Sequence, residues 1–237
     1  MNPVWLLSGF LGDHSQWGAA HEELEKHLGY TVEWYDWAQD CRDARSLSEA
    51  AQIISQKALS TGQRPVLVGY SMGGRLALEA ITSYPGVFEQ AVLTSTHLGL
   101  ASEPEKKSRL QSDEDWAKLL ETDVDLFWQK WSQQEVLKNS LHFSRSHVDA
   151  KLWASLLRSL STAKQKNFRE YLSNPKLPPM LFITGARDEK YVHMQAELPQ
   201  FVNRVIIEEA GHRVPLDQPV AFAQNAAHFI RTQWEKL

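Results

Sequence analysis

Cysteine is nearly absent from this sequence, since Cys41 is the only one in 237 residues. A single cysteine excludes a disulfide within the chain and a cysteine-rich zinc site, and it fits a reducing compartment. His142, His147 and His193 could be considered as metal ligands, but no H-E-x-x-H or comparable spacing supports them. We therefore expect neither a metal nor a cofactor. We interpret these histidines as solvated surface side chains and Cys41 as an incidental thiol near a loop.

Long apolar runs and an excess of one charge are also missing. The formal net charge is only −4, which gives no reason to expect nucleic acid or an anionic membrane as a partner. The start of the chain lacks a basic region, and no later run approaches the length of a membrane span. We expect a cytoplasmic protein without membrane insertion, and the sequence does not indicate its oligomeric state.

Short apolar runs alternate with segments of helical periodicity, as expected for an α/β domain of this length. The predicted strands are Val4–Leu7, Thr31–Tyr35, Val66–Val68, Ala91–Thr94, Met180–Thr184 and Val205–Ile207. The predicted helices are Trp17–Leu28, a segment that begins at the capping-box sequence Ser46–Glu49 and ends near Ser60, Gly73–Ser83 and Val220–Trp234. This order predicts an α/β fold with a mostly parallel central sheet and helices on both faces.

One long segment breaks this alternation. Between Gly99 and Asn174, β-formers become rare, charges increase and apolar residues recur at helical spacing. We predict that residues 99–174 form a helical cap inserted into an α/β core made of residues 1–98 and 175–237. The cap contains four tryptophans, of which we expect most to hold the helical layer together and one or two to face a ligand: Trp116, Trp128, Trp131 and Trp153.

A serine lies between two glycines where a predicted strand passes into a predicted helix. The stretch Gly69-Tyr70-Ser71-Met72-Gly73 has the G-x-S-x-G spacing of a nucleophile elbow, in which small residues allow a strained turn. The pattern alone is weak. Its position between strand and helix strengthens it, because that context projects the serine hydroxyl above the edge of the sheet. We therefore expect Ser71 to be catalytic.

A serine hydroxyl reacts only when an imidazole takes its proton, and a carboxylate must orient that imidazole. The nucleophile-elbow fold places these groups in the order Ser, acid, His. His212 follows a strand-like run and precedes the last helix, and Asp188 lies just past a predicted strand. The sequence thus predicts a triad of Ser71, Asp188 and His212. Backbone N–H groups of Met72 and Phe10 are the predicted oxyanion donors, on position alone.

The whole chain resembles the α/β-hydrolases, and within them it is similar to the 2-succinyl-6-hydroxy-2,4-cyclohexadiene-1-carboxylate (SHCHC) synthases of menaquinone biosynthesis. The stretches that carry the likeness are Gly69–Arg75, Gly9–Gly12 with Trp17, Glu105–Arg109 with Ser112, Asp113 and Trp116, Lys130–Gln134 with Trp131, and Phe143–Arg145. The family usually has His-Gly before the phenylalanine of the oxyanion loop, whereas this chain has Ser8-Gly9. A smaller side chain must therefore replace whatever the histidine anchors in the family.

The resemblance implies an elimination that needs no cofactor. Removal of a ring proton beside a succinyl ketone would expel pyruvate, with Ser71 as general base and the Phe10 and Met72 amides stabilising the dienolate. The resemblance also implies that Arg109 and Arg145 pair with carboxylates of a small trianionic substrate. Residues Tyr70 and Trp131 would shape the pocket, and Arg75 would form either a structural ion pair or a substrate contact.

Two alternatives stay open at this point. The same triad could make Ser71 a true nucleophile in a small-molecule carboxylesterase or a carbon–carbon hydrolase. An esterase pocket would need fewer cations. A catalytically inactive binding module on the same fold is the other alternative, and it is disfavoured because every triad residue is present in order.

Overall fold

The computed structural model describes residues 2–141 and 148–234. Its strands are β1 (Val4–Leu7), β2 (Glu33–Trp34), β3 (Val66–Tyr70), β4 (Gln90–Thr94), β5 (Met180–Gly185) and β6 (Asn203–Ile207). These six strands form one sheet in the order β2-β1-β3-β4-β5-β6, and every neighbouring pair is parallel. The predicted α/β fold with a mostly parallel sheet is confirmed.

Helices follow most of the strands. The α-helices in the described residues are α1 (Ala19–Leu28), α2 (Trp37–Asp40), α3 (Leu47–Thr61), α4 (Met72–Ser83), α5 (Glu103–Thr122), α6 (Val124–Trp131), α7 (Ala150–Ser159), α8 (Glu189–Ala196), α9 (Val214–Asp217) and α10 (Pro219–Trp234). No helix within the described ranges combines the length and the apolar character needed to span a bilayer.

The sheet divides the hydrophobic core into two layers. Strand β3 is buried along its whole length, and successive side chains of a strand point to opposite faces. Leu67 packs in the cluster that includes α3 and α4, whereas Val66 and Val68 pack in the cluster that includes α1 and α10. Because both faces are covered, the central strands are apolar on both sides, which explains their continuous apolar sequences.

The strand order places the ends of β1 and β3 side by side. The chain passes from β1 outward to β2 and then returns to add β3 on the other side of β1, and Leu7 pairs with Gly69. In parallel sheets, ligands bind outside the carboxyl ends of the strands where the order reverses. The loop after β1 and the turn at Ser71 therefore meet at this edge.

Two elements are shorter in the structure than predicted. Strand β2 covers only Glu33 and Trp34, because it lies at the edge of the sheet and pairs only with β1. Helix α1 starts at Ala19, after Gly18 takes a positive φ of 45°. Cys41 follows α2 as its C-cap and is fully buried in the core, with its thiol 3.6 Å from the carbonyl oxygen of Ala50.

Between β4 and β5 the described residues form helices and no strand. Helix α5 begins with a capping box, in which Ser102 and Glu105 each accept a hydrogen bond from the other's backbone N–H. Helix α5 packs against α7. These helices correspond to the predicted cap, and the division of the chain at residues 98/99 and 174/175 remains a prediction.

Candidate active site

Ser71 occupies the sharp turn between β3 and α4. Its φ of 52° lies in the left-handed region, which non-glycine residues rarely adopt and which occurs preferentially at functional sites. A Cβ at Gly73 would lie 2.1 Å from the carbonyl oxygen of Leu7, and one at Gly69 would lie 2.6 Å from Cα of Gly74. The flanking glycines are therefore required by the close contact of helix and sheet.

The structure brings the three predicted catalytic side chains together. His212 Nε2 lies 3.1 Å from Ser71 Oγ, and His212 Nδ1 lies 2.7 Å from Asp188 Oδ2. Asp188 and His212 are buried, with 5% and 4% of their surfaces exposed. An ionised carboxylate can only accept, so Nδ1 carries the proton and Nε2 can accept one from the serine. This arrangement can remove a proton through Ser71 or activate Ser71 as a nucleophile.

Neighbouring loops fix the acid and the histidine. Asp188 follows β5 and occupies the N-cap position of α8, but its side chain makes no capping bond there and is directed to His212 instead. The Ser95 hydroxyl donates to the carbonyl oxygen of His212 at 2.8 Å. The Gly211 N–H donates to Asp217 Oδ2 at 2.8 Å. Backbone and side chain of the histidine are thus both held.

Two tyrosine rings flank the imidazole. The ring centroids of Tyr70 and Tyr191 lie 5.7 Å and 4.7 Å from that of His212. Burial raises the pKa of Tyr191 to about 12 and raises the pKa of Tyr70 as well. Both phenols are therefore neutral near pH 7 and contribute apolar faces to the histidine's surroundings.

The two predicted oxyanion donors belong to two chain segments that meet near the serine. Met72 is the first residue of α4, so its N–H belongs to the turn of the helix that has no intrahelical acceptors and carries the positive end of the helix dipole. Phe10 lies in the loop after β1, and both residues line the cavity above Ser71. Both residues therefore lie beside the place where an oxyanion or enolate would form, and the role of their amides as donors stays a prediction.

The cavity above the serine has a volume of about 190 Å³ and is cationic. Its described lining includes four cationic side chains and no carboxylate: Arg75, Arg109, Lys190 and Arg213. The whole chain, in contrast, has a net charge of −4. Positive charge is therefore concentrated at the site, where it would bind an anionic ligand.

Arg75 is a buried cation whose hydrogen-bond partners in the described part of the chain are neutral. Its Nε donates to Gln165 Oε1 at 2.6 Å, and its Nη2 donates to the carbonyl oxygen of Leu160. Among the described residues no carboxylate forms an ion pair with it, which goes against the expectation of a structural ion pair. Burial, followed by the charge of Arg109, lowers the pKa of Arg75 to about 10, so the guanidinium still carries its charge at pH 7.

Arg109 and Lys190 lie at the more open part of the cavity. Arg109 is on α5, where its Nε donates to Asp113 Oδ1 at 2.8 Å. The other oxygen, Asp113 Oδ2, is buried without a hydrogen-bond partner in the described part of the chain. Loss of hydration, followed by the nearby charge of Arg109, lowers the pKa of Lys190. The charged form of Lys190 is therefore less favourable than that of a fully solvated lysine.

The structure places some of the remaining predicted residues at the cavity and others elsewhere. Tyr70 and Trp131 both line the cavity. Trp128 lines it too, whereas Trp153 is buried in the core. Arg145 lies outside the described residues, and so do His142 and His147. His193 is exposed, and the described residues contain no cluster of three or more potential metal ligands.

Sequence reasoning missed several residues of the cavity, among them three close to the predicted acid and base. Lys190 and Tyr191 lie at the start of α8, two and three residues after Asp188, and Arg213 follows His212. Their proximity to the predicted acid and base was the available signal. Proximity along the chain does not tell on which side of a loop a side chain lies, so the signal was insufficient by itself.

Comparisons with known proteins agree with this architecture. A curated protein from Enterobacter sp. (strain 638) named 2-succinyl-6-hydroxy-2,4-cyclohexadiene-1-carboxylate synthase is 26% identical, over 96% of this chain and 92% of its own length. A protein of the same name from Citrobacter koseri is 29% identical, over 96% and 94%. The solved structure of MenH from S. aureus superposes with a TM-score of 0.83 at 20% identity, covering 98% of this chain and 94% of the other.

The family itself follows from the extent of one further match. The model of the alpha/beta hydrolase family matches residues 6–225, which is nearly the whole chain. This range includes the elbow, the acid, the histidine and the helices between β4 and β5. The chain therefore belongs to the alpha/beta hydrolase family.

Proposed function

We propose that this protein is a carbon–oxygen lyase of menaquinone biosynthesis that forms SHCHC by eliminating pyruvate from 2-succinyl-5-enolpyruvyl-6-hydroxy-3-cyclohexene-1-carboxylate. The observation that carries the proposal is the cationic cavity over Ser71, with four cations and no carboxylate in its described lining. The names of the relatives, at 26% and 29% identity over 96% of the chain, support the same reaction.

The proposed chemistry begins with proton removal. Ser71 takes the ring proton beside the succinyl ketone while its own proton passes to His212 Nε2, and Asp188 stabilises the resulting imidazolium. The electrons of the broken C–H bond move into the ketone, so a dienolate oxygen develops between the Phe10 and Met72 amides. This oxygen takes the place that the oxyanion of the tetrahedral intermediate takes in a hydrolase.

The second half of the reaction expels the leaving group. Electrons return from the dienolate into the ring and break the bond between the ring carbon and the enolpyruvyl oxygen. The proton held by the triad leaves with the enolpyruvyl group, which becomes pyruvate. The reaction consumes no water, and Ser71 forms no covalent bond to the substrate.

The cations explain why this substrate fits better than a neutral ester. The substrate carries three carboxylates, and Arg75 and Arg109 can each hold one through two parallel N–H groups. Arg75 is already buried and oriented by Gln165 and Leu160, so little freedom remains to be lost on binding. An esterase acting on neutral substrates would gain nothing from these desolvated charges.

The test measures pyruvate released from the substrate, which is generated in the same vessel, above the spontaneous background. We expect Ser71→Ala to lower kcat by roughly 10²–10⁴-fold, because general-base catalysis contributes that much. We expect Arg109→Ala to raise KM roughly 10–100-fold, as expected for a charge-assisted hydrogen bond. Lys118→Ala, which removes an exposed cation from the same helix α5, is the matched control and should resemble the wild type.

A simple aryl ester is tested in parallel to separate lyase from hydrolase. Wild-type protein that cleaves the ester through Ser71 but leaves pyruvate at the background level would contradict the proposal and indicate an esterase. If Lys118→Ala raises KM as much as Arg109→Ala does, the effect of Arg109 does not depend on its place in the cavity.

A further inference from the structure

The loop that carries the Phe10 amide is held by an unusual set of indole hydrogen bonds. Ser8 directly follows β1 and is 1% exposed. Trp17 Nε1 and Trp34 Nε1 both donate to Ser8 Oγ, each at 3.0 Å, and Trp37 Nε1 donates to the carbonyl oxygen of Ser8 at 2.9 Å. Three tryptophans from separate segments thus bond to one serine.

These contacts use the full hydrogen-bonding capacity of the Ser8 hydroxyl. A hydroxyl has one hydrogen and two acceptor sites. The two acceptor sites receive the indole N–H groups, and the hydrogen is donated to the carbonyl oxygen of Asp13 at 3.0 Å. Because Asp13 lies at the far end of the loop, Ser8 joins both ends of the segment that contains Phe10.

The neighbouring residues complete a closed turn. The Gly9 N–H donates to Gln16 Oε1 at 2.6 Å, and the Gly12 N–H donates to the carbonyl oxygen of Gly9 at 3.0 Å. Phe10 is held from the other side by the cap, since its ring centroid lies 5.0 Å from that of Trp131 and 5.5 Å from that of Trp153. The backbone around Phe10 therefore has little freedom to move.

We propose that Ser8 is a positioning residue, which fixes the Phe10 amide at the oxyanion site by serving as the common acceptor for the indoles of Trp17, Trp34 and Trp37. The inference rests on the proposed function insofar as Phe10 N–H stabilises a dienolate there. It extends to any reaction at Ser71 that develops an oxyanion. Ser8 itself touches no reacting atom.

The test compares Ser8→Ala with the wild type in two reactions, pyruvate release and labelling of Ser71 by a fluorophosphonate, whose phosphoryl oxygen occupies the oxyanion site. We expect both kcat and the labelling rate to fall roughly 10–100-fold, somewhat less than on outright loss of an oxyanion donor. We expect KM to change less than about threefold, because the cavity's cations are untouched. If Ser8 had a purely structural role, Ser8→Ala would lower the melting temperature without a large fall in kcat at nearly constant KM.

Two controls separate loss of an indole bond from loss of buried groups in general. Trp5→Phe removes an indole whose Nε1 donates to Glu33 Oε2 at 3.1 Å, away from Ser8. Ser55→Ala removes a buried hydroxyl that has no hydrogen-bond partner among the described residues. Both variants should keep wild-type kcat and labelling rates, whatever they do to the melting temperature.

Trp34→Phe provides the test if Ser8→Ala does not fold, because Trp34 is only partly buried. It removes one of the two donors to Ser8 Oγ, and we expect a fall of roughly 3–10-fold in kcat and labelling against Trp5→Phe. If Ser8→Ala does fold, adding Trp34→Phe to it should change kcat and labelling almost no further, because the two side chains act through one hydrogen bond.

The outcomes distinguish this inference from the proposed function. A folded Ser8→Ala protein with kcat and labelling within twofold of wild type overturns the role of Ser8, and so does a Trp34→Phe protein that equals Trp5→Phe. Wild-type protein that is labelled but releases no pyruvate overturns the lyase proposal alone, because the labelling series still measures the Ser8 effect. If the wild type shows neither reaction, both proposals are wrong.

Discussion

Charge at the rim of the cavity is determined by single side chains, and Lys190 is one whose protonation depends on its surroundings. Loss of hydration and the charge of Arg109 lower its pKa from the ordinary value of 10.5. A carboxylate bound nearby would favour the charged form and raise the pKa again. Substrate binding and protonation of Lys190 are thus expected to support each other.

We predict that Lys190→Gln raises KM for the anionic substrate roughly twofold to fivefold at pH 7, as for an exposed ion pair worth up to about 1 kcal/mol. In the wild type, KM should rise as the pH increases through the lowered pKa of Lys190, because the free protein loses the positive charge. The variant should lack that rise. The measurement is KM for pyruvate release from pH 7 upward, with Lys118→Gln as the control for an exposed lysine.

An identical pH dependence of KM in Lys190→Gln and the wild type would show that Lys190 does not contact the substrate. An identical dependence in Lys190→Gln and Lys118→Gln would lead to the same conclusion.

Some of these side chains could be predicted from the sequence, and others could not. The elbow motif locates Ser71, and the chain order of the fold locates Asp188 and His212, because the geometry of strand ends fixes their places. The Ser8 network joins residues 8 and 17, which lie between β1 and α1, to Trp34 of β2 and Trp37 of α2. No local spacing encodes such a convergence, so only the tertiary structure reveals it.

Among the elements, helix α6 joins the cap to the site through aromatic packing. Phe127 is fully buried, and its ring stacks on Trp131 with a centroid distance of 5.2 Å. It also makes edge contacts with Trp116 at 5.6 Å and with Phe10 at 6.4 Å. The cap is therefore packed on the oxyanion loop through one continuous aromatic cluster.

We predict that Phe127→Ala lowers the free energy of unfolding by about 3–5 kcal/mol, because it removes a large buried side chain and leaves a cavity. The measurement is urea-induced unfolding followed by circular dichroism. Leu110→Ala on α5, where the side chain is 41% exposed, should change the free energy by less than about 0.5 kcal/mol. A loss below about 1 kcal/mol for Phe127→Ala would mean that the cap does not unfold cooperatively with the core.

Helix boundaries show where local sequence signals succeed and where they fall short. Ser46 caps α3 as predicted, by accepting from the Glu49 N–H at 3.1 Å. The Glu49 carboxylate, however, accepts from the Arg45 N–H, so the reciprocal bond of a capping box is not formed there. The same spacing at Ser102 and Glu105 does form the full box. The Ser-x-x-Glu spacing therefore predicts which residue caps the helix. The path of the preceding chain determines from which N–H group the glutamate carboxylate accepts a hydrogen bond.

At the scale of the whole molecule, buried ionisable groups connect stability to pH. His97 follows β4 and is 3% exposed, and the Gly99 N–H donates to its Nδ1 at 3.0 Å. Burial, followed by the charges of Lys190, Arg75, Arg109 and Arg169, lowers the pKa of His97 to about 2. In the folded protein His97 therefore stays neutral, whereas in the unfolded chain it binds a proton below its ordinary pKa of 6.5.

The sign of the effect on stability follows from proton binding. Between pH 6.5 and the lowered pKa, the unfolded state binds one more proton, so stability falls as the pH decreases. The contribution of His97 is about 1.4 kcal/mol per pH unit in this range. We predict that His97→Asn, which retains an acceptor for the Gly99 N–H, reduces the slope of unfolding free energy against pH between pH 6 and pH 4 by about this amount.

The measurement is urea unfolding of the wild type and His97→Asn at a series of pH values. His193→Asn, which changes an exposed histidine, should leave the slope unaltered. Equal slopes in the wild type and His97→Asn would show that His97 is protonated in the folded protein.

The most direct test of the account concerns the products of the reaction at Ser71. The substrate is incubated with the protein in ¹⁸O-labelled water, and the ring product is identified by mass spectrometry while pyruvate is quantified. Elimination predicts one ring product per pyruvate, with the mass of the substrate minus pyruvate and no oxygen from water, formed at a rate that Ser71→Ala loses. A ring product that has gained a water oxygen, or a substrate fragment bound covalently to Ser71, would contradict the general-base role and identify the protein as a hydrolase.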